Sequence, residues 1–450
     1  MGKDGECAVN EITGTPAIHS VRLLANRCKG CVSCTKRCPT EAIRIRFGKA
    51  RIIHSRCIDC GECIRHCPTH AKTAITDGLN ALADYDYNIA LPSPALYGQF
   101  GMEFSHEAIL WGLKQLGFQE VVEVAEGVEI AALAIADYLQ QQGKKQPAIS
   151  SVCPAVIRLI QVKYPELVSH IVPIDAPEEI LARKLRHERS DKGRVGIWFI
   201  TPCPAKMTAV SNPLGRDKSE LSGTISILKI YGELLKILPA YSQQEFSQIS
   251  SWIGVGYESA GGEGIAGKVD SLLVHDIHSV INVLDQVAIG KLNDVAYLEC
   301  LACVGGCLGG PLTVENRYVA KHRLKQRLKL CCEEDQKAGK KGRSTYDQDE
   351  IDVKSRKPIL PLDVMKLDED IFKAMHKVEM IDQISSRLPG LDCGSCGSPT
   401  CRALAEDIAQ GSASEADCVF KLRKRVKELA QEMIGLAEKM PSSLGKKNLE

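Results

Sequence analysis

Cysteine spacing constrains this chain more than any other feature. Two groups among its 20 cysteines repeat one pattern, Cys28-x2-Cys31-x2-Cys34-x3-Cys38-Pro39 and Cys57-x2-Cys60-x2-Cys63-x3-Cys67-Pro68. A third group runs Cys393-x2-Cys396-x4-Cys401-x16-Cys418. The fourth is dispersed over three short runs: Ser151-Val152-Cys153-Pro154-Ala155, Thr201-Pro202-Cys203-Pro204-Ala205-Lys206 and Glu299-Cys300-Leu301-Ala302-Cys303-Val304-Gly305-Gly306-Cys307. Secreted disulfide scaffolds are usually short. In a chain of 450 residues, thiols clustered at regular short intervals point to metal binding. Cys7, Cys300, Cys331 and Cys332 fall outside these groups and read as buried or inert thiols.

The length allows two or three domains and a large core. Hydrophobic residues at 44% and charged residues at 25% describe an ordinary soluble protein. A net charge of +1 gives no electrostatic reason for nucleic acid or an acidic membrane surface as partner. No uninterrupted apolar run approaches the roughly 18 residues of a membrane span. The segment Met1–Thr15 is polar and acidic, unlike a secretory signal. A cytoplasmic protein is the expectation.

The sequence divides into an N-terminal tail (1–19), a cysteine-rich module (20–80), a long alternating region (81–330), a charged and polar linker (331–358), a small cysteine-bearing unit (359–420) and a helical tail (421–450). Strands are predicted at Asn88–Leu91, Glu120–Val124, Ala148–Val152, Ile171–Ile174, Val195–Thr201 and Val295–Glu299. Amphipathic helices are predicted at His106–Leu116, Val128–Leu139, Pro177–Leu185, Ile225–Leu238 and Val274–Val287. This alternation predicts an α/β region with mainly parallel sheets flanked by helices. Cys153 and Cys203 then fall just past strand carboxyl ends, and Cys303 a few residues past another, at the edge where open sheets bind ligands. In the tail, Val419, Leu422, Val426, Leu429, Met433, Leu436 and Met440 keep a/d spacing up to Pro441. Dimerisation and packing against its own domain both fit that stripe.

The doubled N-terminal pattern is the bacterial ferredoxin spacing, in which the fourth cysteine of each run serves the other cluster. One [4Fe–4S] cluster is therefore assigned to Cys28, Cys31, Cys34 and Cys67, and the other to Cys57, Cys60, Cys63 and Cys38, in an α+β ferredoxin-like domain. Zinc sites normally take ligands in two pairs, not two copies of a four-cysteine run. The set Cys393, Cys396, Cys401 and Cys418 resembles the small four-cysteine cluster domain of corrinoid iron-sulfur proteins and multi-cluster redox proteins. A [4Fe–4S] cluster is expected there, with a structural zinc ion as the alternative.

Taken together, the three dispersed runs resemble the signature segments of iron-iron hydrogenases, and the resemblance covers roughly residues 20–315. It implies that Cys153, Cys203, Cys303 and Cys307 hold the [4Fe–4S] part of an H-cluster. Cys307 would also bridge to a diiron unit bearing carbonyl, cyanide and a dithiolate. Lys206 would hydrogen-bond a cyanide, a buried ammonium compensating an anion, and Gly305 and Gly306 would let the backbone approach the cofactor. Lys206 and Cys307 are thus the residues closest to the chemistry. The same resemblance exposes departures. Where the family has a proton-relay cysteine this chain has Val152; relay glutamates align with Ala134, Ile135 and Tyr138; an acid becomes Ala209; two pocket methionines become Thr201 and Leu301; and a tryptophan becomes Val156.

Losing a positioned proton donor typically costs a factor of about 10²–10⁴ in rate. Retained cluster ligands with a lost relay resemble a sensory branch of the family. The leading expectation is an H2-sensing regulatory protein with slow reversible H2 oxidation and proton reduction. A catalytic hydrogenase exchanging electrons with ferredoxin, and an electron-transfer or cluster-assembly protein with cubanes only, are the alternatives. Partners implied are H2, protons, ferredoxin or another redox protein, and a signalling partner or second copy at the C-terminal helix. His54, His66 and His70 read as surface residues, Cys331-Cys332 as structurally neutral, and the charged run Lys421–Lys427 as a solvated helix face.

Overall fold

The computed structural model describes residues 19–142, 147–242, 269–338 and 351–439. Cys7, Met440 and Pro441 lie outside the described residues, as do the side chains of Cys331 and Cys332.

The N-terminal module is built twice over. Strand β1 (Val21–Leu23) and helix α1 (Ser33–Lys36) precede the hairpin of β2 (Ile43–Arg46) and β3 (Lys49–Ile52), and helix α2 (Glu62–Arg65) and strand β4 (Lys72–Ala74) follow. β1 pairs antiparallel with β4, and β2 with β3. Each cysteine run carries its own single-turn helix, and Cys28, Cys34 and Cys63, with Cys38 and Cys67 at the edge, pack among Val21, Ile43, Ala50 and Ala71, while Cys31 is exposed. Such a small apolar core gains rigidity from ligand bonds more than from area.

Two parallel sheets form the central region. The larger, in the order β6-β5-β8-β9, contains β5 (Tyr87–Pro92), β6 (Glu120–Val121), β8 (Val195–Thr201) and β9 (Gly223–Ser226). Every residue of β8 is buried, as expected for a parallel strand covered on both faces. The smaller sheet, β10-β11-β7, contains β7 (Ala148–Ile149), β10 (Ser271–His275) and β11 (Tyr297–Leu301). Around them pack α3 (His106–Gln115), α4 (Ala125–Gln142), α5 (Pro154–Lys163), α6 (Pro177–Glu188), α7 (Pro204–Ser211), α8 (Ile227–Ile237), α9 (Ile277–Ala288) and α10 (Arg317–Ala338). Ser105, Ser226 and Asp276 cap α3, α8 and α9 with side-chain oxygens, each satisfying an N–H the helix leaves open.

Several elements differ from the sequence reading. Ile171–Ile174 is not a strand; it makes only isolated bridges, Ile149 to Ile171 and Ile174 to Lys354, because Pro173 cannot donate to a ladder. The strand expected at Val295–Glu299 lies two residues later, at β11. β9 and β10 run almost directly into α8 and α9, so their short apolar runs merge with helical periodicity in the sequence. α10 continues to Ala338, into what composition read as linker. Its Arg327 is buried and donates to the carbonyls of Tyr97, Phe100, Gly101 and Phe104, which pins the 3₁₀ turn Pro94–Gln99 beneath it.

Residues 351–357, also read as linker, form a packed strap. Asp175 N–H donates to Val353 O, Ser355 N–H to Pro173 O, and Lys357 N–H to Gly215 O. Asp175 anchors this strap: its carboxylate accepts from Arg183 at 2.9 Å, from Ser355 Oγ at 2.9 Å and from Arg216. Beyond it, α11 (Ile371–Arg387), α12 (Cys401–Ala409) and α13 (Val419–Glu438) make the C-terminal unit, whose core is Ile381, Ile384, Leu388, Leu404 and Ala405 with Cys418. No residue of α13 is buried, so its apolar stripe does not pack on its own domain.

Replacing Asp175 by Ala strands two arginines in a site where the carboxylate side chain is only 4% exposed. Anaerobic urea unfolding followed by circular dichroism should show a loss on the order of 3–5 kcal/mol. Asp175→Asn, which keeps one acceptor, should fall between the variant and the wild type.

Candidate functional site

The site forms where both sheets end. Cys153 follows β7 by a few residues and Cys203 follows β8 by two, and each is the N-cap of a helix with proline at its first position. Proline suits that position because its missing N–H would have no helical partner. Cys303 and Cys307 follow β11 in a loop turned by Gly305 (φ 82°) and Gly306 (φ 78°), conformations that a side chain would strain. Gly310 sits so close to Pro202 that a Cβ there would lie 2.6 Å from its ring. This contact holds the Cys307 loop against the Cys203 turn.

Cys153, Cys203 and Cys303 lie within electrostatic reach of one another. Burial pushes all three thiols above their usual range; Lys206 pulls Cys153 and Cys203 back down, and Arg65 does so for Cys303. Thiolates are hard to maintain in such a place unless a metal takes the charge. The chemistry of this donor set therefore fits a metal cluster.

The ferredoxin-type module delivers its own sulfurs to the same place. Burial pushes Cys57, Cys60 and Cys63 upward, Cys63 to about 12, and Cys38 adds repulsion to each. Cys38 thus lies near the second run, while Cys28 and Cys31 both lie near Cys34. Cys67 Sγ accepts from the Ala71 N–H at 3.1 Å, as Cys38 Sγ accepts from Ala42 at 3.2 Å. Gly61 abuts Pro204 and Pro311, and Arg65 donates to Gly309 O and to Cys303. A shared apolar cluster packs against Cys60, Cys153 and Cys203. Arg65 also lies within electrostatic reach of both Cys60 and Cys303.

Lys206 is buried, with its ammonium 5.2 Å from the centre of the Phe199 ring. Its Nζ lies 3.3 Å from Glu178, and both side chains are 5% exposed. Sequence reasoning missed this carboxylate. Pro177-Glu178-Glu179 looked like an ordinary acidic first turn of a helix, where negative charge is favoured anyway. Glu178 and Lys206 line a partly open cleft together with Ser151, Asp175, Glu179 and Arg216.

The departures from the relay pattern are also placed. Val152 is buried among Ile89, Leu91, Val124 and Phe199. Ala134 and Ile135, with Tyr138 at the edge, belong to a separate apolar cluster with Val172 and Ile174. Thr201, Leu301 and Val156 are buried, whereas Ala209 lines the cavity. His54 and His70 are exposed, and His66 sits 3.2 Å from Glu62. Asp59, fully buried between Cys57 and Cys60, was not singled out in the sequence. Burial raises its carboxyl, but His19 at 2.5 Å, Arg158 at 3.5 Å and the Val21 N–H outweigh that and hold it low.

Residues 86–222 match the family described as "Iron only hydrogenase large subunit, C-terminal domain". The chain contains an iron-only hydrogenase-type domain. Residues 20–68 match the 4Fe-4S dicluster domain family, and residues 388–420 match an Fe-S cluster family. The hydrogenase-type domain is therefore flanked by iron-sulfur units on both sides. Solved structures of similar shape include variants of [FeFe]-hydrogenase HydA1 from Chlamydomonas reinhardtii, with TM-scores of 0.44 and 0.45 and 14% and 13% identity, each covering 55% of this chain and 87% of the other. A HydA structure solved in a study of stepwise H-cluster assembly has a TM-score of 0.45 and 14% identity, covering 63% of this chain and 90% of the other. Among curated proteins, one component of the ion-translocating oxidoreductase complex matches over 39 residues, 46% identical in Cereibacter sphaeroides and 48% in Rhodobacter capsulatus. That match covers 9% of this chain and 21% of the relative, so the chain spans about a fifth of the length of these relatives. Among the described residues no helix is long and apolar enough to cross a membrane.

Within the cavity, burial pushes the Glu179 carboxyl from 4.5 up to about 7, helped by Glu178 and Asp175 and opposed by the Ser219 hydroxyl and the Glu220 N–H. The unfolded chain gives up this proton near the ordinary value, well before the folded chain does. Stability therefore falls as pH rises from about 4.5 to 7 and stays low above it. Glu179→Gln removes that loss. Its unfolding free energy relative to wild type, read by urea denaturation, should be higher at pH 8 than at pH 5 by on the order of 2 kcal/mol after allowing for partial exposure.

Proposed function

We propose that this chain holds an H-cluster and acts as a slow, H2-responsive regulatory protein. The observation that carries this reading is a contrast at one site. Three partly buried thiols sit together beside a 4Fe-4S dicluster module, while the residue before Cys153 is Val152, buried in an apolar cluster. Cys153, Cys203, Cys303 and Cys307 would hold the cubane, Cys307 would bridge to the diiron unit, and Lys206 would face its cyanide. When bound, that group supplies reversible splitting of H2 into protons and electrons. The two N-terminal clusters would be held by Cys28, Cys31, Cys34 and Cys67, and by Cys57, Cys60, Cys63 and Cys38. The C-terminal one would be held by Cys393, Cys396, Cys401 and Cys418.

The protein's own contribution is selective. Val152 carries no exchangeable side-chain proton, and neither do Ala134 and Ile135, which lie in a separate apolar cluster. Proton delivery is thus slowed while cluster binding and electron storage are kept. H2 then acts by changing the populations of redox states, which a regulator can pass on only if its conformations differ in affinity for those states.

Two observations favour other readings. The cavity that reaches Lys206 contains several charged side chains, among them Glu179, whose carboxyl burial pushes up to about 7, which would serve a catalyst using a different proton route. The Lys206 charge is already balanced by Glu178, which would suit a protein carrying cubanes only. Infrared spectra after co-expression with maturation enzymes, under H2 and under inert gas, separate these. Metal-bound carbonyl and cyanide bands that shift with H2, with turnover below ordinary hydrogenases by a factor of about 10²–10⁴, support the regulator. Ordinary turnover identifies a catalyst, and absence of the bands identifies a cubane-only protein.

A further inference from the structure

The C-terminal unit does not hang free from the rest of the chain. The Ile45 N–H donates to Gly397 O at 2.7 Å, extending the edge of β2 into the C-terminal cysteine loop. Gly397 lies so close to the Ile45 carbonyl that no side chain would fit, and Gly394 meets Val32 and Lys36. Asp407 accepts from Arg44 at 2.7 Å, Arg46 at 2.8 Å and Ser398 at 2.8 Å. Glu406 takes both terminal nitrogens of Arg56, at 2.7 and 3.2 Å, the paired geometry that makes arginine–carboxylate contacts specific. The Arg44, Arg56 and Asp407 side chains are each no more than 8% exposed. Such buried charges tolerate little misplacement.

This docking puts two cysteine loops face to face. Gly394 lies between Cys393 and Cys396, and Val32 lies between Cys31 and Cys34. On the opposite side of the module, Gly61 and Arg65, next to Cys60 and Cys63, meet Pro204, Pro311 and Cys303. The N-terminal module therefore touches the C-terminal unit through the Cys28 run and Arg56, and touches the central region through Gly61 and Arg65 of the Cys57 run. Within the C-terminal unit Cys393 is exposed. Immediately after Cys418 comes a cationic turn, with Arg423, Lys424, Arg425 and Lys427 all exposed and Lys421 partly so. Lys421 lies 3.4 Å from Glu415, and Lys424 and Arg425 lie 3.9 and 3.6 Å from Glu428, yet the five cations outnumber these acids and leave the turn net positive near a helix N-terminus, against the helix dipole.

We propose that the C-terminal cubane is the outer station of a four-cluster relay and exchanges electrons with an acidic one-electron protein carrier docked on the cationic turn of α13. It deepens the proposed function by naming where electrons enter, and it rests on the iron-sulfur reading alone, not on the diiron unit. In the reducing direction, the carrier is oxidised by one electron as the Cys393 cubane is reduced. That cubane is then reoxidised as the Cys28 cubane is reduced, and no proton or bond is involved. Opposite charge raises the encounter rate and makes it salt-dependent.

The test uses the full-length, iron-loaded protein and reduced plant-type [2Fe–2S] ferredoxin as an acidic probe, with methyl viologen radical as a cationic control. Wild-type reduction by ferredoxin should slow as salt rises, and Arg423→Glu with Lys424→Glu should slow it by roughly tenfold or more. Viologen should reduce that variant at least as fast as wild type. Cys418→Ala should lose a cubane's iron and the fast ferredoxin phase. Asp407→Ala keeps full iron content but should lose the spin–spin broadening between the C-terminal and Cys28 clusters in the dithionite-reduced paramagnetic resonance spectrum. Unchanged ferredoxin rates in the Cys418→Ala and charge-reversed proteins, or a wild-type spectrum equal to the sum of isolated clusters, would overturn the proposal. Neither readout depends on carbonyl or cyanide bands, so this failure is distinct from failure of the H-cluster reading.

Discussion

Gathering several thiols in a desolvated interior is the costly act on which this structure turns. Cys153, Cys203 and Cys303 repel one another as thiolates, and burial opposes their ionisation. Two parallel sheets deliver them to one edge, and their ends are fixed by helices that begin immediately afterwards. Lys206 and Arg65 supply nearby positive charge. A metal cluster held there would supply the rest, and stability and cofactor binding would then be one problem.

Much of this was legible in the sequence because spacing is local. The run Cys28 to Cys38 and its repeat carry their own geometry, and β8 announces itself as seven buried residues ending two before Cys203. What was not legible depends on partners distant in sequence. Glu178 looks like a helix-start acid until Lys206 lies against it. Asp59 looks like loop filler until His19 and Arg158 converge on it. Residues 351–357 have linker composition, yet Asp175 and two arginines hold them down. β9 and β10 were hidden because a short strand flowing into a helix leaves no change of period to detect.

The pocket beside Lys206 shows how one fold can keep a cofactor's ligands and alter its surroundings. Ligand positions are set by strand ends and proline-led helices, features insensitive to the identity of neighbours such as Val152. On the proposed reading, proton access would depend on such neighbours and on the carboxylates of the cavity. Binding and turnover are therefore separable by single substitutions in this architecture, consistent with function residing in sites placed on folds.

The contact between Arg44 and Asp407 joins residues 363 positions apart. It turns the polypeptide into a closed circuit: the segment that seals the cavity rim near Asp175 leads on to the unit clasping the N-terminal module. Closing so long a loop costs little more entropy than closing one half its length. The linkage also fixes a high effective concentration of one module beside the other. A nick anywhere in the connecting segment would leave every cysteine set intact, yet make their alignment a matter of two pieces finding each other in solution.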